Sequence, residues 1–323
     1  MTATVAANKS FDLSGGALRE DLRDIIYDIS PMDTIFLTRA TRSSAASTTH
    51  EWLTDTLTAA ASNAQIEGDA FAAAARTLPT RLKNYTQISR KDFEVTGTAE
   101  KINKAGMRGL MAYHTARAAK ELKRDIETDL LSVNYATAGS SLSARVAAGV
   151  QTWIYGSNHV DASTQTTATT SSPAAGFAKG PVVAGSAVAL NEADMKSALQ
   201  QAWSCGGETD VILCGPGLYN TISGFTGIAT RFRDVASKQQ AQIIGAADVY
   251  VSAFGSHNIV LSRYATSTVL YCLDMKTWEV AYLRPFATEE IAKIGDAERR
   301  MILAEWTLVA KSPLANTKIT AVS

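Results

Sequence analysis

The histidines are the residues of this chain best suited to bind a metal or to act as a general acid or base. The local sequence predicts one on a strand, one on a helix and two on loops, in the order His50, His114, His159 and His257. No two have the H-E-x-x-H spacing that places a pair of zinc ligands on one helix face. His50 and Glu51 are adjacent in a predicted strand and point to opposite faces, so they cannot share a metal. We expect no metal site and no catalytic site.

The three cysteines, Cys205, Cys214 and Cys272, form an odd number and have no C-x-x-C spacing. Metal and redox sites usually place their thiols at short, regular intervals. Structural thiols in a reducing compartment are therefore the favoured interpretation.

Two further stretches have the residue types to contact a phosphate group. The C-G-P-G sequence at 214–217 lacks both the Walker lysine and the three-glycine dinucleotide pattern, so a tight turn from strand to helix is favoured. Arg231, Arg233 and Lys238 could touch a polyanion, although solvent and salt-bridge contacts are the commoner role of such residues. No G-x-S-x-G motif is present. The sequence favours a protein that is not an enzyme and needs no cofactor.

The composition disfavours several classes of protein. Lys plus Arg and Asp plus Glu both number 31, so the formal net charge is zero and a dedicated nucleic-acid binder is disfavoured. With 46% hydrophobic residues, the 323-residue chain is too apolar to be disordered. It has no apolar run of about 18 residues and no secretory signal in MTATVAANKSFD. The protein is expected to fold in a cytoplasm, and its neutral charge permits packing against copies of itself.

The longest predicted element is a helix from Ala99 to Ser132, which contains no proline. About 34 residues at 1.5 Å each would span roughly 50 Å, a length that suits a structural spine. Apolar and small residues recur at helical spacing, as expected for one buried face. These residues are Ile102, Gly106, Leu110, Tyr113, Leu122, Ile126 and Leu130.

The stretch before this helix predicts a long β-hairpin. Two strand-like segments, THEWLTDTL and TRLKNYTQISRKDFEVTGT, flank a middle of small residues, AAASNAQIEGDAFAAAARTLP. The middle has too few large apolar side chains to bury itself, and a hairpin without a core is marginal in water. We expect this hairpin to dock on something else, and another chain is the favoured partner.

The rest of the sequence mixes helices and strands without a regular βαβ alternation, which predicts the α+β class. A short helix is expected over 17–26, and MDTIFLTRATRSSAAS is expected to end in a linker of small residues. A further helix is expected to begin at Asn191, to carry Met195, Leu199 and Trp203, and to end at Gly206 and Gly207. The predicted strands are DVILCG, DVYVSAFG, NIVLSRY, TVLYCLDM, TWEVAYLRPF and RRMILAEWTLVAK.

Seven strings follow one another along the chain: YDISPMDT (27–34), HEWLTD (50–55), NAQIEG (63–68), NYTQI (84–88), KELKRDIE (120–127), WEVAYLRPF (278–286) and GD (295–296). Together they resemble the major capsid proteins of tailed bacteriophages, which have the Hong Kong 97-type fold. The likeness covers nearly the whole chain and is weakest over 133–188.

The resemblance implies a chain with four parts. Residues 1–46 would form an N-terminal arm, and 47–97 an extended loop that lies over a neighbouring subunit. Residues 98–132 and 275–310 would form a peripheral domain with the spine helix and the long strands. Residues 133–274 and 311–323 would form an axial domain. Such subunits form pentamers and hexamers that close into an icosahedral virion shell around double-stranded DNA.

The resemblance also implies contact residues and partners. Trp52, Ile66, Phe71 and Tyr85 are the candidates for anchoring the extended loop on a neighbour, and packing inside the subunit is an alternative of nearly equal weight. Arg299 and Arg300 are candidates for charged contacts where three capsomers meet, with plain solvent exposure as the alternative. Further partners would be a portal, a decoration protein and packaged DNA contacted without regard to its sequence; no membrane contact is expected.

The sequence departs from some members of this group. Some join a Lys of the extended loop to an Asn of a neighbour's peripheral domain, with help from a Glu. Here no Lys lies between His50 and Leu82 and no Asn between Thr277 and Ala315, so no such crosslink is expected. A fused scaffolding segment is not evident either, and a separate scaffolding protein is expected. Two alternatives stay open: a nanocompartment shell of the same fold around a cargo enzyme, and a soluble enzyme or a tail or neck component.

Overall fold

The computed structural model describes residues 33–68, 78–102, 109–163, 166–167, 173–180, 182, 184–225 and 249–322. These ranges form two larger β-sheets, a two-stranded hairpin and several helices. The mixture of helices and strands confirms the α+β class. The helix expected over 17–26 lies outside the described residues. In the ranges that are described, no helix is both long and apolar enough to cross a membrane.

The first sheet has four strands in the order β1 (Thr41–Ser44), β11 (Trp278–Ile291), β12 (Ala297–Ala310) and β4 (Gln87–Thr96). Strands β11 and β12 pair antiparallel from Trp278↔Ala310 to Ile291↔Arg299, which confirms the predicted pairing of the last two strand candidates. The pairing shifts register on both sides of Arg284, next to Pro285. A proline cannot donate a hydrogen bond to a neighbouring strand, which accounts for the irregularity at this point.

Strand β1 corrects the expectation of a linker in the segment RATRSSAAS. Residues Thr41–Ser44 pair in parallel with β11, from Thr41↔Glu279 to Ser44↔Tyr282. Small polar residues carry no clear two-residue hydrophobic period, so this strand could not be predicted from the local sequence. Its conformation depends on the edge that β11 presents.

The long helix is interrupted, contrary to the expectation of one element from 99 to 132. It consists of α2 (Gly97–Lys101) and α3 (Leu110–Leu130), and both Ile102 and Gly109 have extended backbone angles. One carboxylate oxygen of Glu100 accepts hydrogen bonds from the backbone N–H groups of Leu110 and Met111, at 3.0 and 3.2 Å.

The break in this helix has a physical basis. The intervening sequence contains Gly106 and Gly109, and each glycine costs a helix about 1 kcal/mol relative to alanine. The first N–H groups of any helix lack acceptors within the helix, and Glu100 supplies one to α3. The predicted buried face is confirmed at Leu122, Ile126 and Leu130, whereas Ile102 is exposed.

The second sheet has seven strands: β6 (Thr166–Thr167), β5 (His159–Asp161), β13 (Thr317–Thr320), β10 (Leu270–Leu273), β7 (Val211–Cys214), β9 (Gly255–Leu261) and β8 (Val249–Ser252), in spatial order. Helices α5 (Glu192–Ser204) and α6 (Pro216–Ser223) contribute to a core on one face of it. That core includes Met195, Leu199, Leu218, Ile222, Ile212, Leu270 and Ile319. The helix predicted to start at Asn191 is confirmed. Asn191 is its N-cap residue, and its side chain accepts a hydrogen bond from the Ala193 N–H.

Helix α5 carries Met195, Leu199 and Trp203 as predicted; the first two are buried and Trp203 is exposed. Two expectations for this part of the chain are wrong. His159 and His257 lie on strands β5 and β9 and not on loops. Each imidazole is held by a side-chain hydroxyl, His159 by Thr320 at 2.6 Å and His257 by Ser252 at 2.7 Å. The neighbouring strands supply these partners, so sequence patterns do not reveal them.

The predicted hairpin forms from β2 (Thr49–Thr54) and β3 (Thr80–Tyr85), paired from Thr49↔Tyr85 to Thr54↔Thr80. The sequence suggested that the second strand-like segment stays in the hairpin over its whole length, but it does not. It divides at Thr86, and β4 continues into the four-stranded sheet beside β12. Short helices α1 (Ile35–Arg39) and α4 (Val150–Trp153) complete the elements used below.

Candidate assembly surfaces

The base of the hairpin, by which we mean the part of β2 and β3 around Trp52 and Asn84, is fixed to its own chain. The indole Nε1 of Trp52 donates a hydrogen bond to the carbonyl of Ala310 at 2.9 Å, and its ring lies 5.3 Å from that of Trp153. Asn84 is fully buried and donates to the carbonyl of Leu308 at 2.8 Å. The Asn84 side-chain oxygen accepts from the N–H of Ala148 at 2.9 Å. The base therefore has a core and satisfied polar groups, which the sequence did not predict.

Tyr85 lies at the end of the same base. Its ring stacks on Phe177 with centroids 4.5 Å apart. Trp52 and Tyr85 thus have partners within the subunit, which was the alternative to their role as anchors on a neighbour. Both aromatic side chains therefore contribute to holding the hairpin base on its own subunit.

The distal part of the hairpin has the opposite character. Four aliphatic side chains there are largely in solvent: Leu53 is 65% exposed, Leu57 99%, Ile66 81% and Leu78 88%. Residues 55–66 form neither helix nor strand. We call Leu53, Leu57, Ile66 and Leu78 the distal hairpin surface. Among the four residues expected to anchor the loop on a neighbour, Ile66 lies outside the subunit's core. Phe71 lies outside the described residues.

Arg299 and Arg300 both take part in ion pairs within the chain. Arg299 binds the carboxylate of Glu94 through Nε at 2.9 Å and Nη2 at 3.2 Å. Arg300 lies 2.8 Å from the carboxylate of Glu290. In each case the two residues are directly opposite on neighbouring strands, so the register of the sheet brings them together. Neither arginine is a plain solvent-exposed charge.

Glu305 forms a buried ionic cluster that sequence reasoning missed. Its carboxylate accepts from Arg145 at 2.6 Å, from Arg284 at 2.9 Å and from the hydroxyl of Thr86 at 2.8 Å. Only about 5% of its side chain is exposed. The sequence contained a signal, because Glu305 is a lone carboxylate within the apolar strand MILAEWTLVA, and a charge buried in this way needs a partner.

A second exposed apolar surface lies at the end of the seven-stranded sheet. The rings of Trp203 and Phe254 are 5.8 Å apart, and both are exposed. We call Trp203 and Phe254 the sheet-end surface. An exposed cluster of large apolar side chains marks a candidate interface.

The residues considered for chemistry are dispersed. The described ranges contain no group of three or more His, Cys, Asp or Glu side chains placed to hold a metal ion. Cys214 and Cys272 lie in the core of the seven-stranded sheet, where burial raises the pKa of each thiol to about 12; Cys205 is exposed. Burial also lowers the pKa of Lys318, whose ammonium donates to the carbonyl of Gln151. Arg231, Arg233 and Lys238 lie outside the described residues.

This architecture is that of phage capsid subunits. Over 94% of this chain and 97% of the other, it is similar to the capsid subunit structure of cyanophage A-1(L), with a TM-score of 0.69 and 13% identity. It is also similar to the capsid of a native GTA particle, with a TM-score of 0.65, 10% identity and coverage of 99% and 100%. At such low identities the likeness shows the fold alone, and that fold is the Hong Kong 97-type α+β capsid fold.

Sequence comparison carries the assignment from fold to family. The chain is 27% identical over 335 residues to the major capsid protein of Escherichia phage Phieco32, covering 95% of this chain and 94% of the relative. The model of the SU10 major capsid protein family matches residues 2–323. The chain therefore belongs to the SU10 major capsid protein family: it is a structural protein that forms the capsid of a tailed phage virion.

Proposed function

We propose that copies of this chain associate into pentamers and hexamers that close into an icosahedral shell, and that the chain acts by this self-association and not by catalysis. The distal hairpin surface is the observation that carries the proposal. Four aliphatic side chains lie in solvent on an extension whose base is rigidly held. Burying one such side chain contributes about 1.5–3 kcal/mol, so a complementary surface on a second copy would stabilise the assembly.

The parts of the chain take different roles in this shell. Residues 47–97 act as the extended loop over a neighbouring copy, and 1–46 as the N-terminal arm. Residues 98–132 and 275–310 form the peripheral domain around α3 and the long strands. Residues 133–274 and 311–323 form the axial domain, in which the sheet-end surface packs against copies around the capsomer centre. The exposed apolar clusters in the extended loop and the axial domain support this division.

Other partners follow from the same role. A separate scaffolding protein, a portal and a decoration protein act with the shell, which assembles in the host cytoplasm and encloses double-stranded DNA. Contact with the DNA is independent of sequence and weak for each subunit. The formal net charge of zero supports this, because few counterions would be released on binding.

Electron microscopy of the purified full-length protein, expressed with its scaffolding partner, tests the proposal. The wild type is expected to form closed shells of uniform size. The double variant Leu57→Ser, Ile66→Ser should leave soluble subunits and few shells, because each copy loses two apolar contacts. Leu142→Ser is the matched control, since Leu142 is 97% exposed but lies outside the hairpin. Equal shell yields from all three proteins would contradict the role of the distal hairpin surface.

The contents of the particles separate a virus shell from a nanocompartment. Nuclease-resistant double-stranded DNA in particles purified from infected cells is the expected result. A co-purifying cargo enzyme in place of DNA would contradict the genome-enclosing role while leaving self-association intact.

A further inference from the structure

The carboxylate of Glu127 is directed at the backbone of a segment 90 residues away. Glu127 lies in α3 and is fully buried. One of its oxygens accepts from the N–H of Phe36 at 2.8 Å, and the other accepts from the N–H of Leu37 at 2.7 Å. Both N–H groups belong to the first turn of α1. Each oxygen thus has its own donor, and both donors are main-chain groups of the arm.

These two hydrogen bonds determine the position of α1. A helix of five residues is not stable by itself, and its first N–H groups have no acceptor within the helix. Phe36 and Leu37 are buried, and Phe36 packs edge-on against Trp278 at 5.9 Å. Apolar burial is not directional and would tolerate small shifts along the chain. A carboxylate that accepts two backbone hydrogen bonds is directional, because each oxygen must keep its donor at hydrogen-bonding distance and angle.

The segment that Glu127 holds is the last part of the arm. Helix α1 is followed immediately by β1, which pairs with β11. Residues 33–46 are therefore attached to the body at two points, one on α3 and one on the four-stranded sheet. The attachment at Glu127 is the one nearer to residues 1–32.

We propose that Glu127 is a positioning residue for the N-terminal arm, which fixes where and in what direction the arm leaves the body of the subunit. Every copy then presents its arm to its neighbour in the same way. That consequence rests on the shell-forming function proposed above, whereas the attachment itself does not.

Hydrogen–deuterium exchange on the unassembled full-length subunit tests the proposal. Glu127→Gln keeps the shape of the side chain but replaces one acceptor oxygen by an NH2 group. The amides of residues 35–44 should exchange roughly tenfold faster or more, since hydrogen bonds to charged groups are among the stronger ones. Amides in α3 around Leu122 should change less than about twofold, because the helix keeps its own hydrogen bonds.

Two further variants complete the test. Glu127→Asp keeps the charge but withdraws it by one methylene, and the same local acceleration is expected; it decides the matter if Glu127→Gln does not fold. Glu121→Gln is the control, because Glu121 lies on the same helix and pairs with Arg117 on its surface. Unchanged exchange at 35–44 in both Glu127 variants, or equal acceleration across the whole subunit, would overturn the proposal. Absence of shells from the wild type would count against the proposed function and leave this result unaffected.

Discussion

Arg145 and Glu305 are 160 residues apart in sequence, and their side chains meet at 2.6 Å. The same carboxylate accepts a hydrogen bond from Arg284, which lies beside the irregular pairing of β11. It accepts another from Thr86, where the hairpin passes into the four-stranded sheet. One buried charge therefore joins the long strands, the base of the hairpin and the segment after α3. This cluster links the three parts in addition to the hydrogen bonds of Trp52 to Ala310 and of Asn84 to Leu308 and Ala148.

Glu305→Ala should destabilise the subunit, because it removes the buried carboxylate that pairs with the partly exposed side chains of Arg145 and Arg284. Breaking a fully buried pair from one side costs about 3–5 kcal/mol, and the loss here should be smaller because water reaches both arginines. Urea unfolding of the full-length protein measures the effect. Glu121→Ala, which removes an exposed ion pair with Arg117, should lower the free energy of unfolding much less. A similar small loss for both variants would show that the Glu305 cluster contributes little.

His159 should make the protein less stable in acid. Burial, followed by the nearby charge of Lys318, lowers the pKa of His159 from 6.5 to about 3. Between these pH values the unfolded chain binds a proton that the folded chain excludes, so stability falls as the pH drops from 6.5 towards 3.

Comparing the wild type with His159→Gln isolates this contribution. The free energy of unfolding of the wild type should decline more steeply between pH 7 and pH 5, by at most about 1.4 kcal/mol per pH unit. Both proteins are measured by urea unfolding at each pH. Parallel curves would contradict a neutral, buried His159.

The cysteines should differ sharply in reactivity. Cys205 is exposed, whereas Cys214 and Cys272 are buried thiols whose pKa is raised to about 12. Because the thiolate is the reactive form, a thiol reagent at pH 8 should label one cysteine per native subunit and three after denaturation. Mass spectrometry of digested protein identifies the labelled site. Rapid labelling of Cys214 or Cys272 in the native state would contradict the described core.

Mature particles should contain no covalent links between subunits of the kind that joins a lysine of the extended loop to an asparagine of the neighbour's peripheral domain. The extended loop has no Lys between His50 and Leu82, and the second peripheral segment has no Asn between Thr277 and Ala315. Boiled particles on a reducing denaturing gel should give a single subunit band. A ladder of multiples of 34.4 kDa would refute this expectation.

The sequence predicted the elements whose signals are local. The strand that begins at Trp278 and the strand that ends at Ala310 have long apolar runs. The helix after Asn191 has both an N-cap residue and an apolar face. The break before Leu110 was missed because helical periodicity continues across it, and the decisive contact comes from the Glu100 side chain. Strand β1 was missed because its pairing partner lies more than 200 residues away.

The candidate surfaces were predictable only in part. The sequence indicated that the middle of the hairpin lacks a core, and Ile66 is indeed in solvent. It could not show that Trp52 donates to Ala310 or that Tyr85 stacks on Phe177, because those partners are distant in sequence. The pairing of Arg299 with Glu94 depends on strand register in the same way.

Photo-crosslinking at position 57 tests most directly whether the hairpin completes itself on an adjacent copy. A photoreactive benzoylphenylalanine replaces Leu57 in assembled particles, and the same residue at position 142 serves as the comparison. Irradiation should convert subunits with the probe at position 57 into covalent dimers on a denaturing gel. The second peptide of each crosslink should come from the peripheral domain of another copy. Crosslinks confined to the same chain, with only monomers on the gel, would contradict the account.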